Sequence, residues 1–143
     1  MDNVSMLAFE NNKSQWGNLV AIEEGLSVPF EIKRVYYIFD VSKDVRRGFH
    51  AHRNLEQVLI CIHGQVSIFV DDCTEKEIYT LNSPMQGLRI SSMVWREMYD
   101  FSEDAVLLVL ASELYNPSDY IRDYDEYKNF MQNNKINLNA VDA

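Results

Sequence analysis

From Leu19 to Ala111 short apolar-rich runs recur with clusters of turn residues between them. The runs are Leu19–Ile22, Arg34–Val41, Glu56–Ile62, Gln65–Val70, Glu77–Leu81, Gly87–Ile90, Met93–Met98 and Ala105–Ala111. This β-rich rhythm predicts an all-β fold, an antiparallel sandwich or barrel. Val66, Ile68 and Val70 alternate with Ser67 and Phe69, which fits a strand with one face buried more deeply than the other. His63-Gly64 separates two runs at hairpin distance, and Gly64 can take the positive φ of a tight turn. Asp71-Asp72-Cys73-Thr74 reads as the next turn, and Ser83-Pro84 and Asn116-Pro117 add punctuation, because proline disfavours helix in the residue before it.

After Pro117 the period changes. Tyr120, Ile121, Tyr124, Tyr127, Lys128 and Phe130 recur at helical spacing, with Asn116 or Ser118 available as a cap, so a short C-terminal helix is expected to close the fold. From Gln132 the chain is polar, and residues 132–143 are expected to fray. No repeat, low-complexity tract or linker divides the sequence, so residues 1–143 are read as one domain. At 143 residues, with 47% hydrophobic and 12% aromatic content, the chain is long enough for a sizeable core.

The formal net charge of −9 argues against a nucleic-acid or anionic-membrane surface, since both need a positive field. An anionic small ligand needs only a local positive pocket, and Arg34, Arg46, Arg47, Arg53, Arg89 and Arg96 all fall in the central part. Cys61 and Cys73 form neither a disulfide framework nor a paired-cysteine metal spacing, which points to a reducing compartment. Met1–Glu10 has no leader pattern, and no segment approaches the roughly 18 apolar residues of a membrane span. The expectation is a soluble protein of the cytoplasm.

Against that background one stretch concentrates the chemistry, Arg47-Gly48-Phe49-His50-Ala51-His52. In an extended strand alternate side chains share a face, so His50 and His52 point the same way. Imidazole exchanges protons near neutral pH or binds a metal, and two on one surface make this pair the leading candidate for catalysis. His63, in a hairpin turn, reads as structural or solvent-facing.

Written as Gly48-x-His50-x-His52-x-x-x-Glu56 with Gly64 beyond, the stretch resembles the first motif of the cupin superfamily. These are small β-barrels with a metal site or polar pocket inside, so the resemblance implies a jelly-roll barrel of cupin type. A metallo-cupin would bind iron or another transition metal through His50, His52 and Glu56. The second motif usually adds a histidine, but here Arg96 follows Val94-Trp95 and repels a cation. Proton transfer without a metal or other cofactor is therefore expected.

Longer strings narrow the resemblance. Leu19-Val20-Ala21-Ile22-Glu23-Glu24, Pro29-Phe30-x-Ile32-Lys33-Arg34-Val35-Tyr36-Tyr37-Ile38-Phe39-Asp40, the His50 stretch, Leu55-Glu56-Gln57, Val94-Trp95-x-Glu97-Met98 and Ser118-Asp119-Tyr120-Ile121-Arg122 look like the nucleotide-sugar 3,4-ketoisomerase family. The resemblance implies action on dTDP-4-keto-6-deoxy-D-glucose: removal of the C3 proton, an enediol-like intermediate, and reprotonation at C4. The product is the 3-keto sugar that an aminotransferase later converts to a 3-amino sugar. It further implies proton transfer by the two histidines, with His50 read as the base and His52 as its partner.

Arg34, Arg47 and Tyr37 match family positions facing the pocket, the arginines suited to phosphate oxygens. Adjacent strand residues face opposite ways, so at most one of Tyr36 and Tyr37 lines the pocket; Tyr37 is favoured, as a donor to the sugar carbonyl or a proton relay. Arg122, on the helix, is read as a substrate contact. Two positions depart from the family. An Arg-Gly dipeptide becomes Trp16-Gly17, and Val-Trp-His becomes Val94-Trp95-Arg96, where Arg96 is read as stabilising an oxyanion. Family members look like homodimers that often exchange strands, a role open to Met6–Glu10. The competing readings are a 3,5-epimerase acting on the same sugar and a non-catalytic sugar- or metal-binding cupin.

Overall fold

The computed structural model describes residues 1–142, with side chains described through Lys135. In chain order the strands are β1 (Val4–Ala8), β2 (Asn12–Ser14), β3 (Gly17–Leu19), β4 (Arg34–Phe39), β5 (Arg47–His52), β6 (Gln57–His63), β7 (Val66–Asp71), β8 (Lys76–Leu81), β9 (Gln86–Ile90), β10 (Trp95–Tyr99), β11 (Val106–Ala111) and β12 (Tyr120–Ile121). A 3₁₀ turn spans Pro117–Asp119, and the helix α1 spans Tyr124–Asp142. Two five-stranded sheets form, β1-β9-β6-β11-β4 and β12-β5-β10-β7-β8, with every pairing between these strands antiparallel. This is the cupin-type barrel that the rhythm and the resemblance lead one to expect.

Between the sheets, the inward positions divide the barrel lengthwise. Leu59, Cys61, Ile68, Leu88, Leu107 and Phe101 fill one end, each no more than 1% exposed. At the other end the same period-2 rows carry His52, Gln57 and Arg96, also nearly sealed from solvent. A polar group in such a place must find a partner or be functional. The outer face of the first sheet is covered where Val58, Ile60 and Leu110 meet Phe9 and Val28, with Val20, Ile22, Phe30 and Ile32 packed alongside. This explains why β6 reads as a continuous apolar run, since both its faces are buried. The outer face of the second sheet is covered by α1 through Tyr127, Phe130 and Met131, packed with Trp95, Ala51 and Ile121.

Several expectations shift. Val20–Ile22 is not a strand; only Gly17–Leu19 pairs, with β2, while Val20 and Ile22 serve as apolar staples on the sheet behind. The N-terminal strand is Val4–Ala8 rather than Met6–Glu10, and it pairs with β9 of its own chain. Asn116 caps the 3₁₀ turn through Ser118 N (3.1 Å) and not α1. Asp123 caps α1 instead, accepting from Glu126 N at 2.9 Å. Tyr120 and Ile121 are drawn out of helical geometry because they pair with His52 and Ala51. Arg122 therefore precedes the helix. α1 runs on past Gln132, where polarity predicted fraying; within that stretch Lys135 reaches Thr74 Oγ1 at 3.2 Å. No described helix is long and apolar enough to cross a membrane.

Candidate active site

β5 builds the site by a local irregularity. Arg96 pairs with His50 but Glu97 pairs with Gly48, so Phe49 is the extra residue of a β-bulge. Gly48 (φ 94°) and Phe49 (φ 54°) both take left-handed conformations there. The kink brings the Gly48 carbonyl to His50 Nδ1 at 3.0 Å. A carbonyl only accepts, so Nδ1 carries the hydrogen, and in the neutral ring Nε2 keeps its lone pair. Burial and the nearby Arg96 guanidinium push His50 down to about 4, so the ring is neutral at physiological pH.

His52 is fully buried beside it, the ring centroids 4.8 Å apart and nearly perpendicular. Its Nδ1 lies 3.0 Å from Asp119 Oδ2, while Nε2 has no partner. Burial and then Arg96 drive His52 down to about 2. Tyr120 packs on both rings, at 5.0 Å from His50 and 4.4 Å from His52, and Arg122 stacks over Tyr120 at 4.2 Å.

The cleft in front of His50 encloses about 490 Å³ and is rimmed by Arg34, Arg47, Arg122 and Tyr37, with Tyr36 and Tyr120 on its walls. Three guanidiniums at one mouth, on a chain of net charge −9, make a local anion site. Arg34 is held against the rings of Tyr36 (4.6 Å) and Tyr115 (5.2 Å).

Two sequence readings change. Arg34, Tyr36 and Ile38 face inward on β4, whereas Val35, Tyr37 and Phe39 stand outward at 54%, 63% and 55% exposure. Tyr37 is thus a rim residue, tilted against Phe39 at 5.9 Å, and Tyr36 is the interior phenol. Arg34 and Tyr37, three residues apart in one strand, stand on opposite faces of β4, so the two do not both point inward as the resemblance implied. Tyr36 Oη accepts from Gln57 Nε2 at 2.9 Å, which leaves its own hydrogen free to donate; burial raises its pKa and keeps that hydrogen in place.

Arg96, for its part, does not line the cleft. It is 1% exposed, with Nη1 donating to Gln57 Oε1 (2.6 Å) and Nη2 to the Val94 carbonyl (2.9 Å). It acts on the histidines from behind. Glu56 accepts from Arg89 Nη2 at 2.7 Å, and among the described residues no three His, Cys, Asp or Glu side chains gather as metal ligands. His63 ends β6 rather than lying in the turn, is exposed and contacts the Asp104 carbonyl at 3.0 Å. Asp119, Tyr120 and Gln57 were not singled out from the sequence. Their place at the site depends on β12 pairing with β5 and on the barrel interior, neither of which a local pattern encodes.

The FdtA family, described as WxcM-like, C-terminal, matches residues 2–132. Over 122 residues the chain is 52% identical to the TDP-4-oxo-6-deoxy-alpha-D-glucose-3,4-oxoisomerase of Aneurinibacillus thermoaerophilus, covering 85% of this chain and 86% of that protein. Among solved structures it is similar to a histidine-to-asparagine mutant of the 3,4-ketoisomerase QdtA from Thermoanaerobacterium thermosaccharolyticum in complex with TDP-4-keto-6-deoxyglucose. There the identity is 47% and the TM-score 0.91, over 93% of this chain and 96% of that one. The WlaRB TDP-quinovose 3,4-ketoisomerase from Campylobacter jejuni is 47% identical with a TM-score of 0.87, over 90% of this chain and 99% of that one.

Proposed function

The chain belongs to the FdtA family, WxcM-like, C-terminal, and from that premise and the cleft we infer that it is a TDP-sugar 3,4-ketoisomerase acting on dTDP-4-keto-6-deoxy-D-glucose. The reaction moves the carbonyl from C4 to C3. The C3 proton leaves to a base, the electrons pass through an enediolate, the O3 hydrogen ends on O4, and C4 is reprotonated; nothing is oxidised or reduced overall. The observation that carries this reading is a neutral imidazole with a free Nε2 lone pair, set in a cleft ringed by three guanidiniums.

His50 Nε2 takes the C3 proton. A base whose pKa sits near 4 is weak, but the diphosphate of the substrate brings negative charge to Arg34, Arg47 and Arg122 and raises it toward the working pH. The Tyr36 phenol donates to the carbonyl oxygen as charge develops there, and the buried Arg96 cation stabilises the enediolate through the low-dielectric interior. His52 is the second station for the proton. The protein is read as one catalytic domain of the cytoplasm, working as a homodimer. The uncovered apolar row Val35, Tyr37 and Phe39 on an edge strand supports that assembly, which sedimentation equilibrium measures.

The test is incubation with dTDP-4-keto-6-deoxyglucose, with the product read by NMR. The carbonyl is expected at C3. A product still carrying it at C4 but inverted at C3 or C5 would make the enzyme an epimerase, and no turnover would leave a binding cupin. His50→Asn, which cannot take a proton, is expected to lower kcat by roughly 10²–10⁴-fold.

A further inference from the structure

Asp119 holds together more of the site than any other residue outside β5. Its carboxylate accepts from Asn54 N at 2.7 Å (Oδ1), from Leu55 N at 3.4 Å (Oδ2) and faces His52 Nδ1 at 3.0 Å (Oδ2). Its backbone carbonyl accepts from Arg53 N at 2.9 Å. One residue thus secures both the ring of His52 and the three residues that follow it. Its position is set by the 3₁₀ turn, where Asn116 Oδ1 accepts from Ser118 N at 3.1 Å and Ser118 Oγ at 2.8 Å.

Towards the imidazole, both carboxylate oxygens are acceptors already engaged by backbone N–H groups. A lone pair on Nδ1 would face that negative charge, so Nδ1 carries the hydrogen and donates it. His52 is buried beside a guanidinium and stays neutral, which leaves the lone pair on Nε2. That nitrogen is sealed from solvent and has no partner. An orphaned buried acceptor is costly, on the order of 1–3 kcal/mol, and such an atom calls for a functional account. Tyr120 packs against the ring at 4.4 Å, so the ring is held in place as well as in tautomer.

We propose that Asp119 is a positioning residue of the isomerisation, fixing His52 in the Nδ1–H tautomer so that Nε2 is a proton acceptor beside His50. The inference rests on the ketoisomerase reading above. The proton leaving the sugar can then pass to His52 Nε2 and return, with the new N–H replacing the missing hydrogen bond. In the other tautomer Nε2 already carries hydrogen, and His52 cannot receive.

Asp119→Asn separates this role from scaffolding. Oδ1 of the amide keeps the 2.7 Å bond from Asn54 N, which directs the NH₂ group at Nδ1 and forces the opposite tautomer, at the loss only of the long 3.4 Å contact from Leu55 N. Nitrogen-15 NMR of the histidines in the wild-type protein is expected to show His52 with a protonated Nδ1 and a bare Nε2, and in Asp119→Asn the reverse. With that inversion kcat falls roughly 10²–10⁴-fold, while KM, TDP binding and the thermal midpoint stay near wild type. Undiminished kcat in the variant overturns the proposal, as does parallel loss of kcat, TDP binding and thermal midpoint. A wild-type His52 already protonated at Nε2 overturns it even if the variant does not fold. Absence of turnover in the wild type, by contrast, refutes the ketoisomerase reading itself, and this role falls with it.

Discussion

Arg96 is a fully buried cation bonded only to neutral groups, the Gln57 amide and the Val94 carbonyl. Burial pushes it down to about 10, so it remains charged at physiological pH, directly across β10 and β5 from His50. Its field opposes protonation of both histidines, and this fixes the sign of a pH profile. The base works only when neutral, so kcat/KM, which reports the free enzyme, stays level down to about pH 4 and falls below it, well under the ordinary imidazole value of 6.5. Arg96→Met removes the charge at similar length, and the acid limb of kcat/KM is expected to move up toward 6.5. A limb that stays put would show that burial alone sets His50's basicity. At this scale the histidine pair was legible from its spacing, because i and i+2 share a face in any strand. Arg96 was visible as a departure, yet its burial was not, since nothing local distinguishes an arginine aimed into a barrel from one at its mouth.

The bulge in β5 is the element that aims His50. A Cβ added at Gly48 meets the Arg96 carbonyl oxygen at 2.9 Å and Glu97 Cα at 3.2 Å, both backbone atoms that cannot swing away. The φ of 94° adds strain for any L side chain. Gly48→Ala is therefore expected to destabilise the protein by about 1–3 kcal/mol and to lower kcat by at least about tenfold, because the ring turns with the strand. Thermal unfolding and steady-state kinetics read the two effects, and an alanine variant with wild-type values of both would remove the bulge from the account. Strands with a steady alternation, such as Val66–Asp71 and Lys76–Leu81, were legible to within a residue because period 2 and a one-sided core are the same fact. The segment after Pro117 was not. Tyr120, Tyr124 and Tyr127 carry a helical period, but pairing of Tyr120 with His52 and of Ile121 with Ala51 overrides it, and no short-range signal reports a ladder to a strand 68 to 70 residues away.

For the whole molecule, a barrel apolar at one end and ionisable at the other ties stability to pH. In the folded chain His50 and His52 are held near 4 and 2, whereas in the unfolded chain both return to about 6.5. Between these values the unfolded state binds protons that the folded state refuses, so stability is intact above about pH 6.5 and is lost as pH falls toward 4. Each ring accounts for on the order of 2 kcal/mol between pH 7 and pH 5. Other resolved shifts lie outside that window. The Asp104 carboxyl is held below the ordinary carboxylate range, so its contribution disappears only in stronger acid, and the N-terminal amine is raised above 8. The two rings together make about 4 kcal/mol, so the urea midpoint is expected to drop by roughly 1–4 M between pH 7 and pH 5, given about 1–3 kcal/mol per molar urea for a small domain. In His50→Asn about half of that drop should vanish, since one of the two refusing rings is gone. A midpoint independent of pH over this range would mean that the rings accept protons in the folded barrel. The neutral-base account of the cleft would then have to be abandoned together with the stability prediction.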